Sequence, residues 1–225
     1  MSKGARVPLR EDEFTNADAA RFYNEHARRF MGPAYRRFAR KVAKISLPGK
    51  HVLDIGTGSG LLAIELAKEH PDWQISGIDI SEEMLKLARQ NAAQIGLSDK
   101  IDFRQAPAAA LPFPDGSFDL VASHASLHLW KDPIEVFKEI ARVTAPGGYC
   151  CLWDNLRVNA LRPLLSLVGC LMGMNTAQRQ LWRRAVRSSY TLGETKAIIK
   201  ESALKDARVK FIPIFFMLGI AWRKR

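Results

Sequence analysis

The sequence is poor in cysteine and contains no long hydrophobic run. Its three cysteines are odd in number and two are adjacent, which argues against a disulfide framework and favours a reducing compartment (Cys150, Cys151 and Cys170). No Cys-x-x-Cys or Cys/His ligand spacing occurs, so we expect no metal. The apolar stretch 161–174 is shorter than the ~20 residues that span a bilayer. The N-terminus lacks an apolar signal core, and we therefore expect a cytoplasmic protein.

Acidic side chains are scarce in two parts of the chain. The formal net charge is +11. Residues 1–50 carry 12 basic against 5 acidic side chains, and residues 151–225 carry 14 against 4. Residues 51–150 reverse this balance, with 8 basic and 14 acidic side chains. Such segregation indicates a face for an anionic substrate, a membrane surface or nucleic acid, although simply solvated arginines would produce the same counts.

The most informative segment joins a predicted buried strand to a predicted helix through a glycine-rich turn. It reads Val52-Leu53-Asp54-Ile55-Gly56-Thr57-Gly58-Ser59-Gly60. Glycine allows a tight turn and close approach of a ligand, and the helix N-terminus presents free N–H groups. A second strand ends at Asp79, about 20 residues further on, where a carboxylate can accept hydrogen bonds from ribose hydroxyls. The segment predicts a nucleotide-binding crevice.

Two classes of ligand use this geometry. A dinucleotide fingerprint, G-x-G-x-x-G, needs a third glycine at position 61, which is Leu61 here. Asp54, two residues before the first glycine, is unfavourable beside a pyrophosphate but suits a ligand with an ammonium group. A nicotinamide-dependent reductase is therefore a distant alternative.

The remainder of the chain alternates predicted strands and helices. This order predicts an α/β protein with a parallel, doubly wound sheet. At 225 residues we expect a flexible N-terminal arm over 1–15 and a single domain over 16–225. Within that domain, helices over 16–46 form an N-terminal cap, and an insert over about 156–190 forms a lid on the substrate pocket.

Several motifs carry a resemblance to a known family. The Asp-x-Gly-x-Gly-x-Gly pattern with Asp79 resembles the cofactor loop of class I S-adenosylmethionine-dependent methyltransferases. Later landmarks resemble the small-molecule group related to the ubiquinone/menaquinone-biosynthesis enzymes (methyltransferase type 11): Leu111-Pro112-Phe113, Ser117-Phe118-Asp119, Glu139 with Arg142, and Pro146-Gly147-Gly148. The resemblance spans roughly residues 20–225. It implies a Rossmann-like seven-stranded sheet, mostly parallel with an antiparallel last strand and helices on both faces. It also implies S-adenosylmethionine as cofactor, S-adenosylhomocysteine as product, and no metal.

The resemblance implies a role for each residue around the cofactor. Asp54 faces the ammonium group, directly or through water, and the carbonyl of Ser123 contacts the same group. Tyr23 closes over the carboxylate, and Asp79 accepts from both ribose hydroxyls. The methionine moiety is lined by the turn itself: Gly56, Thr57, Gly58 and Gly60.

Adenine recognition departs from the family pattern. Relatives carry an acidic residue four positions before the Leu-Pro-Phe leucine, and this chain has Pro107 there. Proline offers neither a side-chain acceptor nor an N–H. We expect Ile80 to pack on the adenine face and the N–H of Ala108 to reach a ring nitrogen. The change also leaves open a non-catalytic cofactor-binding protein of the same fold.

Two histidines follow the fourth predicted strand, where ligands meet in an open parallel sheet. His124 and His128 are candidate general bases, because imidazole titrates near neutral pH. Packing roles for both remain the alternative, since methyl transfer to an activated acceptor needs little beyond positioning.

The expected function is methyl transfer to a small acceptor, apolar or anionic, by a monomer or homodimer. The apolar lid and its arginines suggest a peripheral contact with an anionic membrane. The basic flanks favour an RNA or DNA methyltransferase as the alternative function. However, no Asn-Pro-Pro-Tyr-type tetrapeptide follows the fourth strand. We therefore do not expect nucleic acid to be the partner.

Overall fold

A computed structural model describes residues 6–9, 16–159, 162–213 and 216–225. Seven strands in these residues form one sheet: β1 His51–Ile55, β2 Gln74–Asp79, β3 Ile101–Gln105, β4 Phe118–His124, β5 Thr144–Asn155, β6 Arg208–Ile212 and β7 Met217–Arg223. Their order is β3-β2-β1-β4-β5-β7-β6. Neighbours from β3 to β5 pair in parallel, whereas β7 is antiparallel to both β5 and β6. The predicted mostly parallel sheet with an antiparallel last strand is confirmed.

Helices cover both faces of this sheet. They are α1 Ala17–His26, α2 Gly32–Val42, α3 Leu61–Glu69, α4 Glu82–Ala93, α5 Pro133–Val143, α6 Arg162–Leu171, α7 Thr176–Ser188 and α8 Leu192–Glu201. One core includes the fully buried Phe38, Leu66 and Leu85. The second core, on the opposite face, includes Phe137 and Ile140. This arrangement confirms the predicted doubly wound architecture.

The N-terminal cap is one nearly continuous helical segment. Asn16 caps α1, because its side chain accepts from the N–H of Ala19 at 2.8 Å. A π-helical turn, Ala27–Met31, then connects α1 to α2. Pro33 lies in the first turn of α2, where an N–H needs no helical partner.

The sequence pattern predicts strands over 149–153 and 209–216, and the structure gives both strands different bounds. β5 begins at Thr144, which already pairs with Phe118 before an irregularity in register. β6 ends at Ile212, because Pro213 has no N–H for the ladder. Residues 214 and 215 lie outside the described part of the chain.

Residues 6–9 lie against the end of α7. Residues 6–9 of the expected flexible arm make defined contacts, including a hydrogen bond of 3.1 Å from the N–H of Val7 to the carbonyl of Arg187. The rest of the expected arm, 1–5 and 10–15, lies outside the described residues. α6 and α7 fall within the insert predicted over about 156–190, and α7 runs beside the crevice at the carboxyl ends of the strands.

Candidate active site

The glycine turn after β1 has three glycines with left-handed backbone. Gly56, Gly58 and Gly60 have φ angles of 67°, 54° and 77°, a region that side chains disfavour. A Cβ on Gly56 would lie 2.6 Å from the Cβ of Ser126, and a Cβ on Gly60 would lie 2.9 Å from that of Ala88. Gly58 has only the Tyr23 ring before it, at 3.8 Å. Gly56 and Gly58 therefore border the crevice, whereas Gly60 packs beneath it.

Asp79 is held at the end of β2 by two backbone N–H groups. Its Oδ2 accepts from Gly58 at 2.8 Å and its Oδ1 from Ser81 at 2.9 Å. Burial raises the pKa of this carboxyl, and the backbone hydrogen bonds oppose the shift. Each carboxylate oxygen keeps a second lone pair. Asp79 can therefore accept further hydrogen bonds from a ligand in the crevice.

Asp54 lies beneath the crevice and not on its wall. The residue is 1% exposed, and its Oδ2 accepts from the Thr57 hydroxyl at 2.7 Å. Burial raises the pKa of Asp54 to about 7, the Thr57 hydrogen bond lowers it, and the charge of Asp79 raises it. Neither Asp54 nor Thr57 borders the cavity, so Asp54 supports the turn through Thr57 and has no direct access to a ligand there.

A cavity of about 270 Å³ opens along the carboxyl ends of the strands. One part of its wall comes from predicted cofactor residues: Tyr23, Gly56, Gly58, Asp79, Ile80 and Ala108. A largely apolar part comes from residues that the sequence analysis did not assign: Leu9, Met31, Leu129, Trp130, Leu181 and Trp182. His128 borders the same cavity. The crevice therefore joins a polar, glycine-lined part to an aromatic and aliphatic part.

His128 forms a buried pair with Asp154 on this wall. Its Nδ1 lies 2.7 Å from Oδ1 of Asp154, and its backbone N–H donates to Oδ2 at 3.0 Å. His128 sits on a short 3₁₀ turn, Leu127–Leu129, after β4, and Asp154 is the penultimate residue of β5. Because Asp154 occupies Nδ1, Nε2 is the ring nitrogen left for a ligand. A histidine oriented by a carboxylate can accept a proton from a bound hydroxyl.

His124 does not share this position. The residue is 4% exposed at the end of β4, it does not border the cavity, and neither ring nitrogen has a hydrogen-bond partner in the described residues. Its ring centroid lies 4.6 Å from that of Tyr35 and 6.2 Å from that of Trp153. Burial lowers the pKa of His124 to about 4, against the opposing charge of Asp154. His124 is thus a neutral core side chain, and its assignment as a general base is not supported by its location.

Ser123 is also displaced from the wall. It is 2% exposed, and its hydroxyl donates to the carbonyl of Ile55 at 2.7 Å, thereby tying β4 to β1. Tyr23, by contrast, reaches the cavity, and its hydroxyl is hydrogen-bonded to that of Tyr35. Burial raises the pKa of Tyr23. Of the predicted methionine-site residues, Tyr23, Gly56 and Gly58 are brought together on the cavity, and four lie behind it: Asp54, Thr57, Gly60 and Ser123.

The end of the crevice where the sequence analysis expects adenine is apolar. Ile80, Ala106, Pro107 and Ala108 border it, and Ile80 is 41% exposed, open for a ring to pack against it. None of these four side chains can accept a hydrogen bond from an exocyclic amino group. Their backbone groups are the polar atoms that they offer to an adenine.

The sequence analysis missed Asp154 as the partner of His128. One signal could have found it, because Asp154 follows the predicted strand Tyr149–Trp153 directly. The carboxyl ends of parallel neighbours lie on one edge of the sheet, so a polar residue there belongs beside those that follow β4. Arg6 had no such signal, since its contact with His128 crosses 122 residues.

These features define a Rossmann-like fold with the crevice of S-adenosylmethionine-dependent methyltransferases. Residues 53–152 match the family model described as a methyltransferase domain. This stretch of the chain is therefore similar to methyltransferase domains, as the glycine turn and the later motifs had indicated.

Two curated relatives and one solved structure illustrate the likeness. The 27-O-demethylrifamycin SV methyltransferase of Amycolatopsis mediterranei is 41% identical over 110 residues, covering 49% of this chain and 40% of that protein. The ubiquinone/menaquinone biosynthesis C-methyltransferase UbiE of Geotalea daltonii is 37% identical over 116 residues, 51% and 49% of the two chains. A proposed S-adenosylmethionine-dependent methyltransferase of Methanococcus maripaludis superposes with a TM-score of 0.73 and 23% identity, over 93% and 94% of the chains.

The likeness to the curated relatives is confined to part of each protein. The alignments span about half the length of these relatives or less, 40% and 49% for the two above. The part of the chain that the structure describes has no helix long and apolar enough to cross a membrane. Among those residues, no three histidine, cysteine or acidic side chains form a group suited to a metal ion.

Proposed function

We propose that this protein transfers a methyl group from S-adenosylmethionine to a hydroxyl oxygen of a small, largely apolar acceptor, with His128 as general base. The observation that carries the proposal is the single cavity that joins Gly58 and Asp79 to the His128–Asp154 pair. The printed name of one relative, a 27-O-demethylrifamycin SV methyltransferase, agrees with transfer to oxygen, whereas the other relative is a C-methyltransferase of ubiquinone/menaquinone biosynthesis and supports only the small-molecule class of acceptor.

The residues on the polar part of the wall fit the cofactor. A side chain on Gly58 would point toward the Tyr23 ring, into the space that a methionine moiety needs. The Asp79 carboxylate, fixed by two backbone N–H groups, is oriented to accept from ribose hydroxyls. Ile80 and Ala108 would contact the adenine, and Pro107 would supply no charge to its amino group. When bound, S-adenosylmethionine supplies an electrophilic methyl group on its sulfonium.

The chain's own chemical contribution is proton removal at His128. Nε2 of His128 would accept the proton of the acceptor hydroxyl. The electron pair of that oxygen would then bond the methyl carbon while the carbon–sulfur pair stays with the leaving S-adenosylhomocysteine. Asp154 holds the Nδ1–H and stabilises the imidazolium that forms. General-base catalysis of this kind contributes roughly a hundred- to ten-thousandfold in rate.

The aromatic part of the wall favours a flat or branched apolar acceptor. Trp130 and Trp182 face the cavity together with Leu181 and Leu129. Such surfaces bind ligands by burial of apolar area and by stacking. Lys131 also borders the cavity, and the anionic class of acceptor predicted from the sequence stays within this proposal beside the apolar class.

A contact with an anionic membrane extends the proposal to the outer surface of the lid. Leu167, Leu171 and Met172 are 55%, 79% and 44% exposed at the end of α6. The Arg29 guanidinium lies beside this end, with Nη2 3.7 Å from where a Cβ on Gly173 would be. Exposed apolar side chains beside a cation suit the surface of an anionic bilayer. A cytoplasmic location and a monomeric or homodimeric state stay predictions.

Calorimetry with the purified chain tests the proposal first. We expect S-adenosylmethionine and S-adenosylhomocysteine to bind with micromolar affinity, and Asp79→Ala to abolish binding because the ribose loses its acceptor. Asp99→Ala, at an exposed acidic residue outside the cavity, should bind as wild type. Catechol and menadiol then serve as acceptor probes, with methylated product detected by mass spectrometry. Absence of binding to both cofactor forms would refute the proposal and favour a protein that has changed its ligand.

Nucleic acid remains an alternative acceptor on account of the basic flanks. A complex with RNA or DNA would weaken steeply with salt, because cationic contacts release counterions. Methylation of catechol or menadiol that is insensitive to salt, without methylation of a mixed RNA or DNA pool, would exclude it.

A further inference from the structure

We propose that Arg6 is a positioning residue for the general base, and that the segment Arg6–Leu9 is a strap that joins the base-bearing turn to the lid and closes the acceptor cavity. This inference rests on the proposed function of His128. Unlike that function, it concerns a segment outside the region that matches the methyltransferase family model, which covers residues 53–152.

The Arg6 guanidinium joins two parts of the site. Its Nη2 donates to the backbone carbonyl of His128 at 2.8 Å, and its Nε donates to the carbonyl of Ser188, the last residue of α7, at 2.6 Å. The guanidinium carbon also lies 4.2 Å from the centroid of the Tyr190 ring, a cation–π distance. A planar, permanently charged group with several donors suits this threefold contact, and a lysine ammonium could not reproduce it.

Arg6 completes a clamp on His128. The N–H of His128 donates to Asp154 Oδ2, its Nδ1 meets Asp154 Oδ1, and its carbonyl accepts from Arg6. The 3₁₀ turn that carries His128 has only three residues, Leu127–Leu129, so it has little regular structure of its own to fix its orientation. Removing Arg6 would free the carbonyl side of this turn and allow Nε2 to move relative to the acceptor.

The strap also determines where the cavity ends. The N–H of Val7 donates to the carbonyl of Arg187 at 3.1 Å, which lays the segment along the end of α7. Leu9, two residues later, borders the cavity, as do Leu181 and Trp182 of α7. Residues 6–9 therefore hold the turn that carries His128, bind the end of α7 and supply the Leu9 side chain to the cavity wall.

Kinetics of Arg6→Ala, Arg6→Lys and the control Arg21→Ala test this role. Arg21 is an exposed arginine of the N-terminal cap, and its partner is Asp18. We expect Arg6→Ala to lower kcat with catechol or menadiol by roughly ten- to hundredfold, the loss that misplacement of a reacting group causes. Its Kd for S-adenosylhomocysteine should equal that of wild type. Arg6→Lys should recover part of kcat, and Arg21→Ala should behave as wild type.

A double variant of Arg6 and Asp154 distinguishes a positioning role of Arg6 from a general loss of stability. If Arg6 acts through His128, Arg6→Ala should add little to the loss caused by Asp154→Asn, since both remove one alignment. Multiplicative losses in the double variant, or a loss of cofactor affinity in Arg6→Ala, would overturn the inference. So would an Arg6→Ala kcat within twofold of the Arg21→Ala value.

Hydrogen exchange keeps the test independent of the acceptor. Amides of residues 127–130 should exchange faster in Arg6→Ala than in wild type or Arg21→Ala, while those of β1 stay protected. Failure of the wild-type protein to methylate any probe would count against the proposed function, whereas unchanged exchange at this turn would count against the strap. A Leu9→Trp variant should reject menadiol more strongly than catechol, because it narrows the cavity, and equal effects on both would refute the closing role.

Discussion

Asp154 holds His128 through both of its carboxylate oxygens. One oxygen meets Nδ1 at 2.7 Å and the other accepts the backbone N–H of the same residue at 3.0 Å. The two contacts fix the rotation of the ring as well as the position of the turn, and both residues are buried. This double contact orients Nε2 for chemistry and distinguishes His128 from the other candidate, His124.

Removing either member of the pair should therefore abolish most activity without changing the affinity for the cofactor. We expect His128→Ala and Asp154→Asn to lower kcat/KM by roughly a hundred- to ten-thousandfold, the range for loss of a general base. His51→Ala, at an exposed histidine at the start of β1, is the control and should retain activity. Steady-state kinetics together with calorimetry for S-adenosylhomocysteine check this. Normal turnover in His128→Ala would show that positioning alone suffices.

Restoring an acidic side chain at position 107 should strengthen adenine binding. Pro107 borders the apolar end of the cavity, at the position where the family resemblance implies an acidic residue. A hydrogen bond to a charged group is worth about 1.5–3 kcal/mol, so we expect Pro107→Asp to lower the Kd for S-adenosylmethionine by roughly tenfold. Ala110→Asp, exposed and off the cavity wall, should leave it unchanged. An equal or weaker affinity in Pro107→Asp would mean that the adenine lies elsewhere.

The buried Asp54 should make the folded protein less stable as pH rises. Its pKa is raised from 3.8 to about 7, so the native state binds more protons than the unfolded state between these values. Stability is therefore lost as pH rises through this window, by up to about 4 kcal/mol. Asp54→Asn keeps an acceptor for Thr57 and should flatten the dependence. Urea unfolding from about pH 4 to 8 checks this, with Asp99→Asn as control. The same pH slope in Asp54→Asn and wild type would refute it.

The buried His124 should make the folded protein less stable as pH falls, which is the opposite of the dependence expected from Asp54. Burial lowers its pKa from 6.5 to about 4, so the unfolded state binds more protons in this window, and stability is lost as pH falls through it. The loss amounts to up to about 3 kcal/mol. His124→Phe should remove it, since aromatic rings already surround the site. Urea unfolding at about pH 5 and 7 gives the comparison. His51→Phe serves as control, and destabilisation of His124→Phe at both values would indicate an unseen polar role.

The exposed leucines of the lid should bind anionic vesicles. We expect co-sedimentation with phosphatidylglycerol vesicles and weak binding to phosphatidylcholine vesicles, because the patch pairs apolar side chains with arginine charge. Leu171→Asp should weaken the binding, whereas Ile95→Asp, which places the same charge at an exposed residue after α4, should not. Equal binding of both variants would assign the attraction to the net charge alone. Self-association that Leu171→Asp relieves would instead identify a second copy as the partner.

The sequence by itself determined the fold class and the polar half of the site. The glycine turn, Asp79 and the alternation of strands and helices are local patterns, because a left-handed turn needs glycine and a helix N-terminus needs no distant partner. For the same reason the sequence predicts a helix cap at Ser81 and another at Asn16 or Asp18, and the structure has caps at Ser81 and Asn16. Gly56 and Gly58 accordingly lie on the cavity as expected.

Only the tertiary structure decided which side chains reach the crevice. His124 and His128 are four residues apart and look alike in the sequence, yet the first points into the core and the second borders the cavity. Asp54, Thr57, Gly60 and Ser123 fit the family pattern but lie behind the wall. The contacts that select His128 come from Asp154 and Arg6, which are 26 and 122 residues away. Such pairings arise from the packing of sheet, lid and strap, and local sequence patterns carry no information about contacts at those separations.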